Sequence, residues 1–393
     1  MKKIISVLLC VLLLVPLSIP VYAEETETLA QSLSCKSAIL MEVSSGQVLM
    51  EKNADEKLPP ASITKIMTLL LVMEELEIGS ITLEDKVTAS REASSKGGSQ
   101  IWLKEGEVMT VHELIKATAV ASANDASTAL AEYISGDETA FVATMNNRAY
   151  ELGMTNTNFE NCSGLDDTAE NHYSTARDIA IMSCELMKHE KIKEYTTIWM
   201  DSLRNGETEL VNTNKLVRFY EGTTGLKTGT TSKAGHCLSA TAQRDGMELV
   251  AVVLGCDNST DRFEDAKKLL NWGFANYSIY EPQIDMSLIT DVTVLCGEKD
   301  TIKPVVKNPN PILIKKGTEN EITQRVDLCV DVEAPVEKGQ KLGAVYFEKD
   351  GEVLTECSIV SENAVQKRGV LFVFKILWST FAKKNDKFLL KNL

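Results

Sequence analysis

Three short groups of residues could do chemistry together. The first is Ser62-Ile63-Thr64-Lys65. Residues three apart on a helix share a face, so a helix starting here turns the Lys65 amine back toward the Ser62 hydroxyl. A serine hydroxyl is a poor nucleophile at neutral pH and needs a base beside it. Lysine can be that base once desolvation and neighbouring positive charge bring its pKa down from ~10.4 toward ~7–8. Ile63, Ile66, Met67 and Leu69 would supply the apolar setting, and a helix start adds unpaired N–H groups where an oxyanion forms. The second group is Ser122-Ala123-Asn124. A hydroxyl and an amide presented together can relay a proton and grip a peptide bond, although Asn124-Asp125 also reads as a plain helix cap. The third is Lys227-Thr228-Gly229, followed by Thr230. Lys227 and the hydroxyls of Thr228 and Thr230 would meet an anionic group, and Gly229 would let a substrate backbone lie close along a strand. Taken singly, the three also read as a surface Ser/Lys pair, a cap and a Gly/Thr-rich loop.

The elements that must position these groups follow from periodicity. Residues 37–43 and 47–51 read as a hairpin across Ser44-Ser45-Gly46. Pro59-Pro60 breaks the chain, and the apolar run 63–76 ending at Gly79 predicts a helix with Ser62 in its first turn. Residues 111–121 and 126–134 predict two helices interrupted at Ser122–Asp125, and 139–152 and 175–188 predict two more. Residues 236–243 and 248–255 flank an Asp245-Gly246 turn between apolar runs, and 261–277 reads as a last helix. This order predicts an α+β domain, an antiparallel sheet covered by helices. Beyond Tyr280, prolines punctuate short strand-like runs such as 292–295, 312–314 and 342–347, which predicts a small all-β domain.

The three groups occur in the order found in class A β-lactamases and penicillin-binding proteins. More specifically, residues 36–277 resemble the D-alanyl-D-alanine carboxypeptidases, the low-molecular-weight penicillin-binding proteins. The likeness is carried by Pro60-Ala61-Ser62-Ile63-Thr64-Lys65-Ile66-Met67-Thr68, Ala121-Ser122-Ala123-Asn124-Asp125-Ala126 and Gly225-Leu226-Lys227-Thr228-Gly229-Thr230-Thr231. Asn161-Cys162-Ser163-Gly164-Leu165-Asp166-Asp167, His172-Tyr173-Ser174-Thr175-Ala176-Arg177-Asp178 and Arg262 add to it. The resemblance implies a fold of the serine β-lactamase and penicillin-binding-protein type. It also implies that Ser62 attacks the penultimate D-alanine carbonyl of a peptidoglycan stem peptide and that Lys65 takes its proton. Ser122 then passes that proton to the leaving D-alanine while Asn124 holds the substrate amide. The N–H groups of Ser62 and Thr230 form the oxyanion hole. Lys227 and Thr228 shape the field around the terminal carboxylate, and Arg262 is its direct partner. Water hydrolyses the acyl-enzyme, and β-lactam antibiotics acylate the same serine.

Three alternatives stay open at this point. A β-lactamase would need a deacylating glutamate, but Lys267-Lys268-Leu269-Leu270-Asn271 carries lysine where a Glu-x-x-Leu-Asn motif has glutamate. An endopeptidase that cuts cross-links would share every motif. A non-catalytic penicillin-binding sensor would be expected if Lys65 or Lys227 were replaced, and neither is.

Composition and termini set the context. The 393 residues carry a net charge of −15, which argues against nucleic acid as a partner. Lys2-Lys3, an apolar stretch and Val21-Tyr22-Ala23 predict a secretory signal peptide over 1–23. That leaves a catalytic domain over 24–280, an all-β domain over 281–365 and an amphipathic tail over 366–393. The resemblance places the chain at the outer face of the cytoplasmic membrane. The tail joins Phe372, Phe374, Trp378 and Phe381 to lysines at 383, 384, 387 and 391, which suits a helix lying in the membrane interface. A short span and a helix packed on the β domain are its alternatives. Eight cysteines remain in the mature chain without regular spacing and read as small buried hydrophobes. The scattered histidines form no metal motif, and no cofactor is expected.

Overall fold

Met247–Cys256 is an apolar run too continuous for a strand with one face in water. Every residue in it is buried, and it forms the middle strand of a five-stranded sheet. The strands are β1 (Ser37–Glu42), β2 (Val48–Lys52), β3 (Thr223–Thr231), β4 (Gly235–Arg244) and β5 (Met247–Cys256). They pair antiparallel in the order β2-β1-β5-β4-β3. Arg244 pairs with Met247 across Asp245 and Gly246, whose φ angles of 48° and 78° make the tight left-handed turn that suits a two-residue hairpin.

The structure, a computed structural model, describes residues 21–166 and 169–389, with side chains for 27–166 and 169–379. The expected signal peptide therefore lies outside the described residues except for its last three, which open a helix at Val21–Ser32. Asp167 and Lys391 lie outside as well, as do the side chains of Phe381, Lys383, Lys384 and Lys387. The chain divides into two units, Met1–Asn276 and Tyr277–Leu393.

Six of the longer helices of the first unit dress its sheet: α1 (Lys65–Glu77), α2 (Val111–Val120), α3 (Asn124–Ser135), α4 (Glu138–Glu151), α5 (Ala176–Met187) and α6 (Ser259–Asn276). Side chains alternate across a strand, so the sheet has two apolar faces. Ile39, Met41, Val250 and Val252 join the large core built with α1 to α5. Leu40 and Leu249 point to the other face, where Gly273 of α6 sits so close that a Cβ would lie 2.6 Å from Leu249. α1 is buried from Lys65 through Met73, as expected of a helix that is apolar on every side. α2 begins with a capping box between Thr110 and Glu113.

Two details depart from the sequence reading. Ser62 lies in a 3-10 turn, Ala61–Thr64, and the α-helix starts only at Lys65. Two short ribbons, Lys86–Thr88 with Val108–Thr110 and Met200–Leu203 with Thr208–Val211, were not expected. Three- and four-residue strands are too short to show a period.

The second unit is all-β up to its last helix. Pro304–Val306, Glu352–Ser361, Lys341–Lys349 and Thr323–Leu328 form one sheet in that order, around a core that includes Val292, Val345, Phe347 and Ile359. A helix follows at Val370–Leu389. Cys35, Cys162, Cys184, Cys237, Cys256 and Cys357 are buried as free thiols, and Cys296 and Cys329 are free and more accessible.

Candidate active site

The left-handed backbone at Ala61, with φ 49°, turns the chain out of Pro60 and sets Ser62 at the mouth of α1. Such a conformation costs a non-glycine residue free energy and clusters at functional sites. Ser62 is half-buried, and Lys65, one turn on, is wholly buried. Lys65 Nζ lies 3.1 Å from Ser62 Oγ, 2.5 Å from Asn124 Oδ1 and 2.6 Å from the Ser163 carbonyl. These three acceptors match the three hydrogens of an ammonium. Burial pulls the Lys65 pKa down to about 7, with the Asp125 carboxylate opposing the fall. At neutral pH a good part of Lys65 is therefore a free amine, directed at a hydroxyl three residues before it.

Ser122 lies in the break between α2 and α3, and Asn124 is the first residue of α3. Ser122 is left-handed at φ 63°, and the residue capping α3 is Ala123, which makes no side-chain cap. The capping alternative for Asn124 thus fails. Its Nδ2 donates to the Gly97 carbonyl at 2.7 Å, while its Oδ1 faces Lys65. Asp125 is fully buried and accepts from the N–H groups of Ile101 and Leu103. The same stretch of chain is held at Ser99, whose carbonyl takes the Asn124 N–H.

β3 carries the third group. Lys227 is buried and donates to Ser122 Oγ at 2.8 Å and to the Thr228 carbonyl at 3.0 Å. Burial, with Lys65 and Arg262 nearby, depresses its pKa strongly. Thr228 Oγ1 donates to Thr213 Oγ1. Thr230 is exposed, and its hydroxyl takes a hydrogen bond from Arg262 Nη1 at 2.9 Å. Arg262 also donates to the Gly229 carbonyl and to Ser259 Oγ. Gly229 is crowded from within the protein: a Cβ would lie 2.8 Å from the Pro60 carbonyl and 3.1 Å from Ile63. The glycine lets β3 lie against the turn that carries Ser62, a closer reason for its type than the substrate backbone expected from sequence.

The fold thus draws Ser62, Lys65 and Asn124 into one hydrogen-bonded set. Ser122 and Lys227 form a second, and Thr230 and Arg262 a third. Sequence reasoning assigned no role to Ser163, whose contribution is a backbone carbonyl, nor to Asp125 or Thr213. Ser163 and Asp125 stood inside quoted motif strings, but a string does not say which atom is used. The arrangement suits acyl transfer: a serine, a lysine of lowered pKa against it, a second hydroxyl tied to a second lysine, and a cationic end at Arg262. Among the described residues no cluster of His, Cys, Asp and Glu could hold a metal ion.

Comparison with known proteins agrees with this chemistry. Residues 23–258 match the family model described as D-alanyl-D-alanine carboxypeptidase. Residues 284–367 match that of the penicillin-binding protein 5 C-terminal domain. The chain is 42% identical over 381 residues to the D-alanyl-D-alanine carboxypeptidase DacF of Bacillus subtilis, covering 95% of this chain and 97% of that one. It is 34% identical to DacC of Escherichia coli, over 88% of each. Penicillin-binding protein 5 from Haemophilus influenzae superposes with a TM-score of 0.71 at 33% identity, over 86% of this chain and 98% of that one. Penicillin-binding protein D2 from Listeria monocytogenes, solved in an ampicillin-bound form, covers 62% of this chain and 98% of its own, with a TM-score of 0.55 and 33% identity.

Proposed function

The chain belongs to the D-alanyl-D-alanine carboxypeptidase family, and on that premise we propose how its own residues carry out the reaction. It is a serine hydrolase that removes the terminal D-alanine from peptidoglycan stem peptides through an acyl-enzyme, and it binds penicillin. The observation that carries the assignment of residues is the buried Lys65 amine, 3.1 Å from Ser62 Oγ with its pKa brought down to about 7. Ser62 attacks the penultimate D-alanine carbonyl and Lys65 takes its proton. The N–H groups of Ser62 and Thr230 receive the oxyanion. Ser122, held by Lys227, returns a proton to the departing D-alanine amine. Asn124, fixed by Gly97, orients the substrate amide, and Gly229 keeps β3 close to the nucleophile. Thr228 and Thr230 present hydroxyls to the terminal carboxylate, with Lys227 and Arg262 supplying positive charge. Water then releases the shortened peptide.

Localisation is part of the same proposal. Residues 1–23 direct export and are removed, leaving a catalytic domain to about residue 280, an all-β domain to about 365 and a tail. Among the described residues no helix is long and apolar enough to cross a membrane. The helix at Val370–Leu389 exposes Val370, Leu371, Phe374, Leu377 and Trp378, which suits a tail lying in the outer surface of the cytoplasmic membrane. Purified muropeptides test the activity. Free D-alanine from monomeric pentapeptides is the expected product; monomers from cross-linked dimers without free D-alanine would make the enzyme an endopeptidase instead.

A further inference from the structure

His172 is buried and takes no part in the chemistry above, yet it joins two segments that do. The Glu160 N–H donates to its Nδ1 at 3.1 Å, which leaves the ring hydrogen on Nε2, 2.8 Å from Thr64 Oγ1. Thr64 lies between Ser62 and Lys65. Glu160 opens the segment that carries Ser163, whose carbonyl accepts from Lys65 Nζ at 2.6 Å. We propose that His172 is a positioning residue: its neutral imidazole struts residues 160–164 against the Ser62–Lys65 turn and so holds the Ser163 carbonyl on the Lys65 amine. The inference rests on the reading of Ser62 and Lys65 as nucleophile and base.

The strut needs one donor and one acceptor, which the neutral imidazole supplies and the imidazolium, with two donors, does not. Burial lowers the His172 pKa to about 4; Glu160 and Asp166 face it and favour its charging, and Lys65 opposes it. The ring is therefore neutral throughout the range in which Lys65 titrates. Phe159 packs at its edge with centroids 5.7 Å apart, which fixes the ring plane. The two segments also meet without slack. Gly164, at φ +81°, lies so near the turn that a Cβ would be 1.8 Å from the Ala61 carbonyl and 2.8 Å from Thr64 Oγ1. Thr68 Oγ1 holds the same segment further along α1, at the Cys162 carbonyl. His172 ties the start of the segment, at Glu160, to Thr64 in the nucleophile's turn. If the Ser163 carbonyl drifts, the ammonium form of Lys65 loses an acceptor, so Lys65 deprotonates at lower pH while its amine loses its aim at Ser62.

The test is the acylation rate with a fluorescent penicillin across the range in which Lys65 titrates. The wild type is compared with His172→Ala, His172→Gln and Thr64→Val, with Ser62→Ala as control. His172→Ala should acylate roughly ten-fold more slowly at neutral pH, with the acid limb of its profile moved to lower pH. His172→Gln, whose amide offers both a donor and an acceptor, should recover most of the rate. Thr64→Val keeps the shape and removes the Nε2 partner, so it should move the limb in the same direction. It decides the matter should His172→Ala fail to fold. An unmoved acid limb in the folded variants, even with a lowered melting temperature, would show that His172 only supports the fold and would overturn the strut. Labelling of Ser62→Ala would instead overturn the reading beneath it.

Discussion

At the scale of single residues two buried lysines carry the chemistry, and burial lowers the pKa of both. With Lys65 proposed as the base in its neutral form, kcat/KM for peptide hydrolysis should fall as pH drops through about 7 and level off above it. Lys65→Arg keeps a cation that cannot give up its proton and should lose about 10³-fold or more, with no remaining limb near pH 7. Near-normal turnover by the arginine variant would mean that Lys65 supplies only charge. Arg262 is the proposed cation for the terminal carboxylate. Arg262→Ala should cost about 2–5 kcal/mol of transition-state binding for a peptide with a free C-terminus and much less for its C-terminal amide. Equal losses on the two substrates would reduce Arg262 to a support for Thr230. The pairing of Ser62 with Lys65 was legible because helical spacing fixes who faces whom. The Ser163 carbonyl was not, because a backbone acceptor leaves no mark in the residue type. His172 could be read only as part of a motif string, since its partners lie 12 and 108 positions away.

At the scale of elements the site is held by close approaches between backbones. β3 meets the Ala61–Thr64 turn at Gly229, and the segment after Phe159 meets the same turn at Gly164. Gly164 combines a left-handed φ with a Cβ position only 1.8 Å from a carbonyl oxygen, so an alanine there cannot fit without moving the turn. Gly164→Ala should lower the melting temperature and slow penicillin acylation together; normal values for both would mean that the turn and the segment move freely. The long helices were legible because their periods run over ten or more residues, and most of the sheet from short apolar runs joined by turn residues. The Asp245-Gly246 hairpin was legible from its turn chemistry. The start of α1 was not, because a 3-10 turn and a first α turn place Ser62 and Lys65 on nearly the same face. Which backbones touch, and hence why Gly229 and Gly164 are glycines, depends on tertiary contact and carries no local signal.

For the molecule as a whole, all the residues assigned to chemistry lie in the first unit, and the exposed apolar residues of the last helix lie in the second. Truncation after Lys367 should therefore release a soluble and fully active enzyme. Continued sedimentation with membranes would place the anchor elsewhere, and lost activity would make the tail part of the catalytic fold. Net charge argued against nucleic acid as a partner; the order of three short motifs carried the reading of function, since their meeting at one point requires a single fold. On the proposed mechanism Ser62 becomes covalently acylated by the substrate it hydrolyses. The most direct measurement is intact-protein and peptide mass spectrometry during turnover of diacetyl-Lys-D-Ala-D-Ala, with Ser62→Ala alongside. Turnover should release one D-alanine per peptide and give a wild-type adduct of the des-alanyl acyl group mapped to Ser62, with neither product nor adduct from Ser62→Ala. Release of D-alanine by Ser62→Ala, or a wild-type adduct on any other residue, would contradict it.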